Sequence, residues 1–375
     1  MNKQQLIVEL QTHGLKLVQQ EIGAAGRKGG AGPSDHKAVT VDGTTVMVPT
    51  YNSPAAQSPY TVEVDLEVDP TTQQIYLQVD QDARDASQQG GAIAPVQFPQ
   101  PPQFYNLTTA DGIPYSQIAL LHSRDVLATT VLQTCMRYGN TDTSCQFCAI
   151  GQSLATGRTI ARKTPAQLAE VAEAAVRLDG VKQMVMTTGT PNSSDRGAAY
   201  LTECARAIKA RVNIPIQAQC EPPDDFVWFD RMQAAGIDSL GMHLEAADPE
   251  VRARIMPGKA TVSVEYYFEA FAAAVKVFGW GQVNTYLLAG LGDSLETLLV
   301  VCDRLIQMGV YPFVVPFVPI TGTPLAHYPA PKSEFMFPLY ERVGAMLKQA
   351  GMSSADIKAG CAKCGACSAL STFEK

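Results

Sequence analysis

The feature that most constrains this chain is a regular alternation of strand-like and helix-like patterns between residues 126 and 350. Short apolar, β-branched runs such as 181–188 and 282–288 are each followed by apolar residues at helical spacing. Repeated strand–helix units predict an α/β fold with a parallel sheet covered by helices. Six such units suffice for a partial (β/α)6 TIM-type barrel, although a doubly wound open sheet would have the same periodicity.

Local signals place the individual elements. Thr164, Pro165 and Gln167 form a typical helix start, with a capping side chain, proline in the first turn and a capping-box glutamine. Gly180 is expected to end that helix. The pattern predicts strands at 118–121, 126–134, 181–188, 214–220, 239–245, 282–288 and 311–318, and helices at 164–179, 199–211, 224–235, 264–278, 294–308 and 333–350.

The first hundred or so residues lack this alternation and predict a small α+β appendage without recognisable chemistry. Strand-like alternation around the turn signal Asp42-Gly43 favours a hairpin there. We therefore divide the chain into an appendage (1–112), a barrel (113–330) and a C-terminal helix with a Cys-rich tail (331–375). Within the appendage we expect a helix at 2–23, a loop at 23–34, strands at 38–48 and 60–79, and a linker at 88–102.

Composition excludes several functional classes. The 375 residues are 46% hydrophobic and 17% charged, as in ordinary globular enzymes, and the net charge is −7. A dedicated nucleic-acid surface would show as a basic patch, so a nucleic-acid partner is not expected. The start lacks an apolar signal-peptide core, and there is no apolar run of membrane-spanning length. We therefore expect a cytoplasmic protein with no membrane partner.

Six of the nine cysteines fall into two tight groups, whereas Cys204, Cys220 and Cys302 are dispersed. In a reducing compartment these groups predict metal binding in preference to disulfides. The first group, Cys135, Cys145 and Cys148, follows the first barrel strand. A closed zinc site uses four ligands, whereas a four-iron cluster held by three thiolates keeps one iron open. Taken alone, this spacing allows iron–sulfur or zinc.

Several segments together resemble the radical S-adenosylmethionine (SAM) superfamily. The cluster motif of that family is Cys-x3-Cys-x2-Cys, with an aromatic residue before the last cysteine, where this chain has Phe147. The gap between the first two cysteines has nine residues here instead of three. Longer first gaps occur in some branches of the superfamily, such as the Elongator catalytic-subunit family. The segments 186–190, 241–250, 287–296 and 315–325 resemble the second-, fourth-, fifth- and sixth-strand motifs in order. The likeness covers roughly 115–330, and the sixth-strand segment is similar to that of biotin synthase and lipoyl synthase.

The chain is also similar to uncharacterised radical SAM proteins encoded beside nitrilases in bacterial gene clusters. The resemblance implies that a 4Fe-4S cluster on the three thiols cleaves SAM to a 5′-deoxyadenosyl radical, which abstracts hydrogen from a substrate. It implies an oxygen-sensitive enzyme and assigns site residues to the cofactor. These are the backbone of Thr188, Gly189 and Thr190 at the SAM amine, Gly290, Gly292 and Pro319 beside the adenine, and Glu245 at the ribose or ammonium.

Other polar residues at predicted strand ends are further candidates. One basic side chain should bind the SAM carboxylate, and the sequence offers three candidates without deciding among them. His243 is a candidate catalytic residue facing the substrate, together with Glu245. A residue of the long first gap, such as Arg137 or Tyr138, is a candidate to cover the site. The candidates to bind the SAM carboxylate are Arg252, Arg254 and Lys259. Gln217, Gln219 and Glu221 occupy alternate positions of the third strand. They line either the lumen, with Glu221 near the cofactor, or an exposed edge.

The second thiol group, Cys361, Cys364 and Cys367, has ferredoxin-like Cys-x2-Cys-x2-Cys spacing. It predicts a second Fe-S cluster, for which Ser368 or Ser371 would supply a fourth ligand, as a serine does in lipoyl synthase. The alternative is a flexible tail whose thiols bind adventitious zinc or nothing.

Three functions fit these patterns. The first is a radical SAM enzyme acting on a small-molecule substrate, with an electron donor such as flavodoxin or ferredoxin. The second is radical chemistry of another kind, either lipoyl-synthase-like sulfur insertion from a C-terminal cluster or modification of a peptide or tRNA. The third is a non-catalytic zinc-binding α/β protein, which leaves the glycine-rich strand ends unexplained. We favour the first.

Overall fold

The computed structural model describes residues 1–17, 36–51, 53–64, 73–77 and 92–375. The loop predicted at 23–34 lies outside these residues. None of the helices in the described ranges is both long enough and apolar enough to span a membrane.

The first helix is shorter than predicted. Helix α1 (Lys3–His13) begins with a capping box between Asn2 and Gln5 and ends at Gly14, which has φ 78°. A Cβ on Gly14 would lie 2.8 Å from the carbonyl oxygen of Pro49, so only glycine allows this close approach. Leu15 then donates its N–H to Pro49 O, and the chain continues as a strand. The helix predicted at 2–23 therefore has the wrong end, and 18–23 lie outside the described residues.

The N-terminal part of the chain forms a six-stranded sheet in the order β1-β4-β5-β6-β2-β3. The predicted hairpin turn at Asp42-Gly43 is confirmed, since β2 and β3 pair antiparallel across it. The linker predicted at 88–102 is wrong for 92–97, which form β6 between β5 and β2, with Val96 buried. The strands are β1 (Lys16–Leu17), β2 (His36–Val41), β3 (Thr44–Pro49), β4 (Tyr60–Val64), β5 (Gln73–Leu77) and β6 (Ala92–Gln97), with helix α2 (Ser53–Ala56) before β4.

The second sheet has seven strands in sequence order, from β7 at one edge to β13 at the other. Strand β7 is antiparallel to β8, and all later neighbours are parallel. This order confirms the predicted partial barrel over the doubly wound alternative, whose strand order would reverse. The strands are β7 (Leu120–His122), β8 (Val126–Thr130), β9 (Gln183–Thr187), β10 (Ile216–Gln219), β11 (Ser239–Gly241), β12 (Val283–Ala289) and β13 (Val310–Pro316).

Helices cover the outside of this sheet close to their predicted positions. The capping box of Thr164 and Gln167 and the left-handed Gly180 (φ 63°) bound the first large helix as predicted. All carboxyl ends of the parallel strands meet at one edge of the barrel, where such folds place their chemistry. The helices are α3 (Tyr115–Ile118), α4 (Ile150–Ala155), α5 (Pro165–Asp179), α6 (Ala198–Arg211), α7 (Val227–Ala234), α8 (Pro249–Ile255), α9 (Pro257–Ala260), α10 (Val264–Phe278), α11 (Leu295–Gln307), α12 (Ser333–Gln349) and α13 (Cys361–Cys364).

Candidate active site

The loop that carries Cys135, Cys145 and Cys148 lies at the carboxyl edge of the barrel. Its start is fixed by backbone hydrogen bonds to the end of β9, from Met136 N to Thr190 O (2.8 Å) and from Gly189 N to Leu132 O (2.9 Å). All three thiols are free and half-buried. Burial raises the pKa of Cys148 to about 11, and the neighbouring Cys135 adds to this effect. The predicted convergence of the three thiols is therefore present in the fold.

The donor set of this loop fits a cluster better than a single ion. The loop supplies three thiols, whereas a closed structural zinc site uses four ligands. A four-iron cluster held by three thiolates keeps one iron open. Cys135, Cys145 and Cys148 are therefore suited to hold three irons and to leave the fourth open.

The nine-residue gap places Arg137 over the site. Its guanidinium forms a two-pronged ion pair with Glu221 at the end of β10, with Nε–Oε1 and Nη2–Oε2 distances of 3.1 and 2.9 Å. Thr190 donates its hydroxyl to the same carboxylate (2.6 Å), and Arg137 also donates to Gly258 O. The side chains of Arg137 and Glu221 are only 14% and 9% exposed. Tyr138 instead packs over Gly151 and is partly exposed at the surface.

A second ion pair joins Glu245 and Lys259, with an Nζ–Oε2 distance of 2.9 Å. Glu245 has φ 68°, an unfavourable conformation for a side-chain residue, and backbone hydrogen bonds to Tyr286 and Leu288 hold it there. Burial alone would lower the pKa of Lys259, but Glu245, Tyr267 and Glu221 outweigh it and raise that pKa. A charged lysine and a strained glutamate therefore sit at the mouth of the barrel.

This pair lies beside the cysteine loop. Burial raises the pKa of Cys145, the Glu245 carboxylate raises it further, and Lys259 opposes both. Of the three bases predicted as candidates for the SAM carboxylate, Lys259 is therefore the one placed among the thiols.

The other two candidate bases occupy different positions. Arg252 is buried and donates to the carbonyl oxygens of Leu244, Ala246, Lys259 and Val262, which engages four of its five N–H groups. Arg254 is exposed and donates to Leu291 O beside Gly292. Arg252 thus fixes the segment that carries Lys259, and its guanidinium is occupied by backbone.

The glycine-rich segments bring the fifth and sixth strands to the cysteine loop. Gly290 and Gly292 have φ 104° and 136°, and a Cβ on Gly292 would lie 2.6 Å from Arg254 Nη2. Leu291 between them belongs to a small apolar cluster with Phe317 and Leu325, against which Cys145 and Phe147 pack. Pro319 follows β13 and is buried. Thr188 bonds to the carbonyl of Gly189 and packs on Gly197.

Gly189 supplies a testable part of this arrangement. A Cβ there would lie 2.1 Å from Thr134 O, next to Cys135, so Gly189→Ala must push the two backbones apart. We expect at least a several-fold loss of iron bound per reconstituted chain. Gly279→Ala is the control, because its positive φ (96°) strains an alanine but nothing lies within 4 Å of the added Cβ. Equal iron contents in the two variants would contradict this role.

The barrel lumen is lined by polar groups. Gln217 and Gln219 on β10 are buried, so the predicted lumen position is correct and the exposed-edge alternative is wrong. His243 stacks on Tyr286 with ring centroids 4.2 Å apart and accepts the Tyr286 N–H at Nδ1 (3.3 Å). Burial and Lys259 lower the pKa of His243 to about 3, so the ring is neutral. Among these lumen side chains, Gln217 Nε2, His243 Nε2 and both terminal atoms of Asn284 are buried without a hydrogen-bond partner in the described structure.

A cavity of about 540 Å³ opens from the β7–β9 side of the barrel towards the N-terminal sheet. Thr130 and Thr187 line it from the lumen face of β8 and β9. Its described lining includes basic or imidazole side chains but no carboxylate. These side chains are His36, Lys37, His122 and Arg158.

The sequence did not indicate Asn284, Tyr286 or the cavity residues Lys37 and His122. Asn284 is a single polar residue in an apolar strand pattern, and this pattern was the only sequence indication of this polar side chain in the lumen. Lys37 and His122 line the same cavity only because the N-terminal sheet packs against the open side of the barrel. Sequence spacing cannot predict that proximity.

Residues 136–305 match the family model described as radical SAM superfamily. Among curated proteins, the chain is similar to bacteriochlorophyllide c C-7(1)-hydroxylase from Chlorobaculum limnaeum, with 28% identity over 255 residues. That match covers 62% of this chain and 62% of the relative, so the chain spans less than two thirds of the relative's length.

Two solved structures are similar at low identity. Methylornithine synthase has 17% identity and a TM-score of 0.47, with 62% of this chain and 66% of that chain covered. A radical SAM methyltransferase from Sphaerobacter thermophilus has 15% identity and a TM-score of 0.46, with 80% and 76% covered.

Proposed function

The chain belongs to the radical SAM superfamily, and from that premise we propose that it removes a hydrogen atom from a small molecule held in the barrel. The cavity beside the lumen carries this proposal, because about 540 Å³ suits a small organic ligand. A folded peptide or tRNA would need a more open surface.

Radical SAM enzymes use a 4Fe-4S cluster and SAM, which together supply a 5′-deoxyadenosyl radical able to abstract hydrogen from carbon. In this chain Cys135, Cys145 and Cys148 would hold the cluster, while Arg137 fixes the loop by its pair with Glu221. A one-electron donor such as flavodoxin or ferredoxin would be the protein partner. The curated relative is named as a hydroxylase, and we propose the same broad class, functionalisation of a carbon–hydrogen bond.

The Lys259–Glu245 pair complements the zwitterionic amino-acid end of SAM. Lys259 would attract the carboxylate, and Glu245 would accept from the ammonium or the ribose hydroxyls. Arg252 positions Lys259 by holding its backbone carbonyl, and His243 and Asn284 would orient the substrate in the lumen. The predicted candidates Gly290, Gly292 and Pro319 would border the adenine.

Lys259→Met should weaken SAM binding at least about tenfold, because one charge-assisted contact to a carboxylate is worth about 1.5–3 kcal/mol. The measurement is equilibrium dialysis of SAM against the reconstituted protein. Arg254→Met is the matched control, since Arg254 is exposed and should matter less. A larger loss in the Arg254 variant would reverse the assignment.

The function itself is tested by following deuterium. Candidate small molecules, labelled with deuterium at carbon, are incubated with reconstituted protein, SAM and reductant under anaerobic conditions. We expect deuterium in 5′-deoxyadenosine for the true substrate, and reduced transfer when Lys37, which lines the cavity, is changed to Met. Transfer only from macromolecular substrates would contradict the proposal.

A further inference from the structure

The C-terminal thiols lie on a packed segment at the amino end of the barrel, opposite the cysteine loop. Gly360 N donates to Gln183 Oε1 (2.7 Å) and Cys361 N to Gln217 Oε1 (3.1 Å). Ser239, at the start of β11, donates its hydroxyl to Ala359 O (2.6 Å). The alternative of a flexible tail is therefore wrong, because strand-start side chains hold the segment.

The N-terminal sheet holds the same segment from its other side. Met47 N in β3 donates to Ala366 O (2.7 Å), and the Gln11 side chain of α1 donates to that oxygen as well (3.2 Å). Ala362, Ala366 and Ala369 are fully buried. The thiols thus sit between two sheets in a fixed frame, which is what a metal site requires.

The fold gathers the three thiols around one short helix. Cys361 and Cys364 bound α13, and Gly365 (φ 68°) reverses the chain so that Cys367 returns to the same place. Two adjacent residues, His122 and Ser123, contact Cys367 and Cys364, which places these two thiols close to each other.

A fourth ligand stands beside them. His122, the last residue of β7, has its Nε2 3.6 Å from Cys367 Sγ. The next residue, Ser123, has φ 57° and its side chain contacts Cys364. A left-handed non-glycine residue is a strained conformation, and such residues concentrate at functional sites.

The serines predicted as fourth ligand are placed differently. The Ser368 hydroxyl donates to Val314 O and accepts the Leu370 N–H (3.2 Å), so both of its roles are used within the backbone. The Ser371 side chain packs beside Gly365, since a Cβ added to Gly365 would lie 3.1 Å from Ser371 Oγ. The prediction of Ser368 is therefore wrong, and His122 is the better-placed donor.

We propose that Cys361, Cys364, Cys367 and His122 hold a second iron–sulfur cluster at the floor of the barrel. Cys-x2-Cys-x2-Cys is a cluster spacing, and histidine replaces cysteine at some iron–sulfur centres.

This centre would touch both the lumen and the outside. Gln219 Nε2 donates to Cys361 Sγ (3.1 Å), and Cys361 also contacts Tyr286, on which His243 stacks. Cys364 lines an outer groove of about 730 Å³ together with Arg124 and Lys363. The second cluster would therefore connect the substrate side of the barrel with the protein surface.

The first test counts iron and acid-labile sulfide in full-length protein reconstituted without oxygen. We expect about eight irons per wild-type chain and about four in a Cys135→Ala, Cys145→Ala, Cys148→Ala variant, whose remaining cluster is the second one. About four irons in wild type with almost none in that variant would overturn the proposal. Stoichiometric zinc in place of iron at the tail would overturn it as well.

The second test assigns His122 in the variant that lacks the first cluster, so its outcome is independent of the proposed function. His122→Ala should lower iron content and alter the electron paramagnetic resonance spectrum of the reduced protein. His122→Cys should restore the iron and lower the reduction potential, since histidine ligation raises it. Ser368→Ala should keep the iron. An unchanged spectrum in His122→Ala would show that His122 is not a ligand of the second cluster.

Discussion

Cys148→Ala is expected to lose about four irons per chain and to reduce 5′-deoxyadenosine formation to background. Cys148 lies in the turn that follows Cys145, whose carbonyl accepts its N–H at 3.0 Å. Cys135 and Cys145 would each hold another iron, so neither can replace the lost thiol. Iron analysis and chromatography of SAM cleavage products measure the two effects.

Cys302→Ala is the matched control. Cys302 is fully buried in α11 and lies in the main apolar core, and it belongs to neither thiol group. Its truncation should cost about 1 kcal/mol of unfolding free energy and leave iron content unchanged. A Cys302 variant that loses iron as Cys148→Ala does would show that general misfolding, and not ligand loss, explains the result.

Glu221→Gln is expected to give the second large effect. The change leaves Arg137 buried and charged without its carboxylate, and breaking such a pair costs about 3–5 kcal/mol. The cysteine loop should loosen with it, because Arg137 O also accepts the Thr143 and Ser144 hydroxyls. Urea unfolding measures the loss of stability, and iron content measures the loosening. Glu265→Gln, in the exposed two-pronged pair with Arg304, should change either quantity far less.

The pH dependence of stability follows from the same pair. Burial would raise the pKa of Glu221, but Lys259 and Arg137 outweigh it and hold that pKa below its ordinary value. The stabilisation is therefore present above the ordinary pKa of glutamate and is lost as pH falls through the lowered folded-state pKa. Wild type should lose stability in that acid range, and Glu221→Gln should lack this component. Parallel pH profiles for the two proteins would contradict the assignment.

Much of the barrel was predictable because its signals are local. The α5 cap residues and the helical patterns of α6 and α10 fixed those elements closely, since capping and amphipathic spacing need no distant partner. The N-terminal sheet was less predictable. Strand β6 lies in a Pro- and Gln-rich stretch, and α1 ends because Pro49 approaches Gly14 from another strand. Both features depend on contacts across the sheet.

The candidate site also combines residues that the sequence indicated with residues that only the fold brings together. The three cysteines, Glu245 and the glycine segments were indicated by spacing and by resemblance to the family. The choice of Lys259 over Arg252 was not, because only the fold shows that backbone carbonyls occupy the Arg252 guanidinium. His122 was invisible for a similar reason, since 245 residues separate it from Cys367. The likeness to the biotin synthase and lipoyl synthase branch and to the nitrilase-linked proteins stays a prediction.

The most direct test of the account is the release of 5′-deoxyadenosine from SAM by the reconstituted protein under dithionite, without oxygen. We expect a brown protein that forms 5′-deoxyadenosine and methionine in equal amounts, with formation abolished in Cys148→Ala and retained in Cys302→Ala. A colourless protein after iron–sulfur reconstitution, or SAM left intact by a fully iron-loaded one, would contradict it.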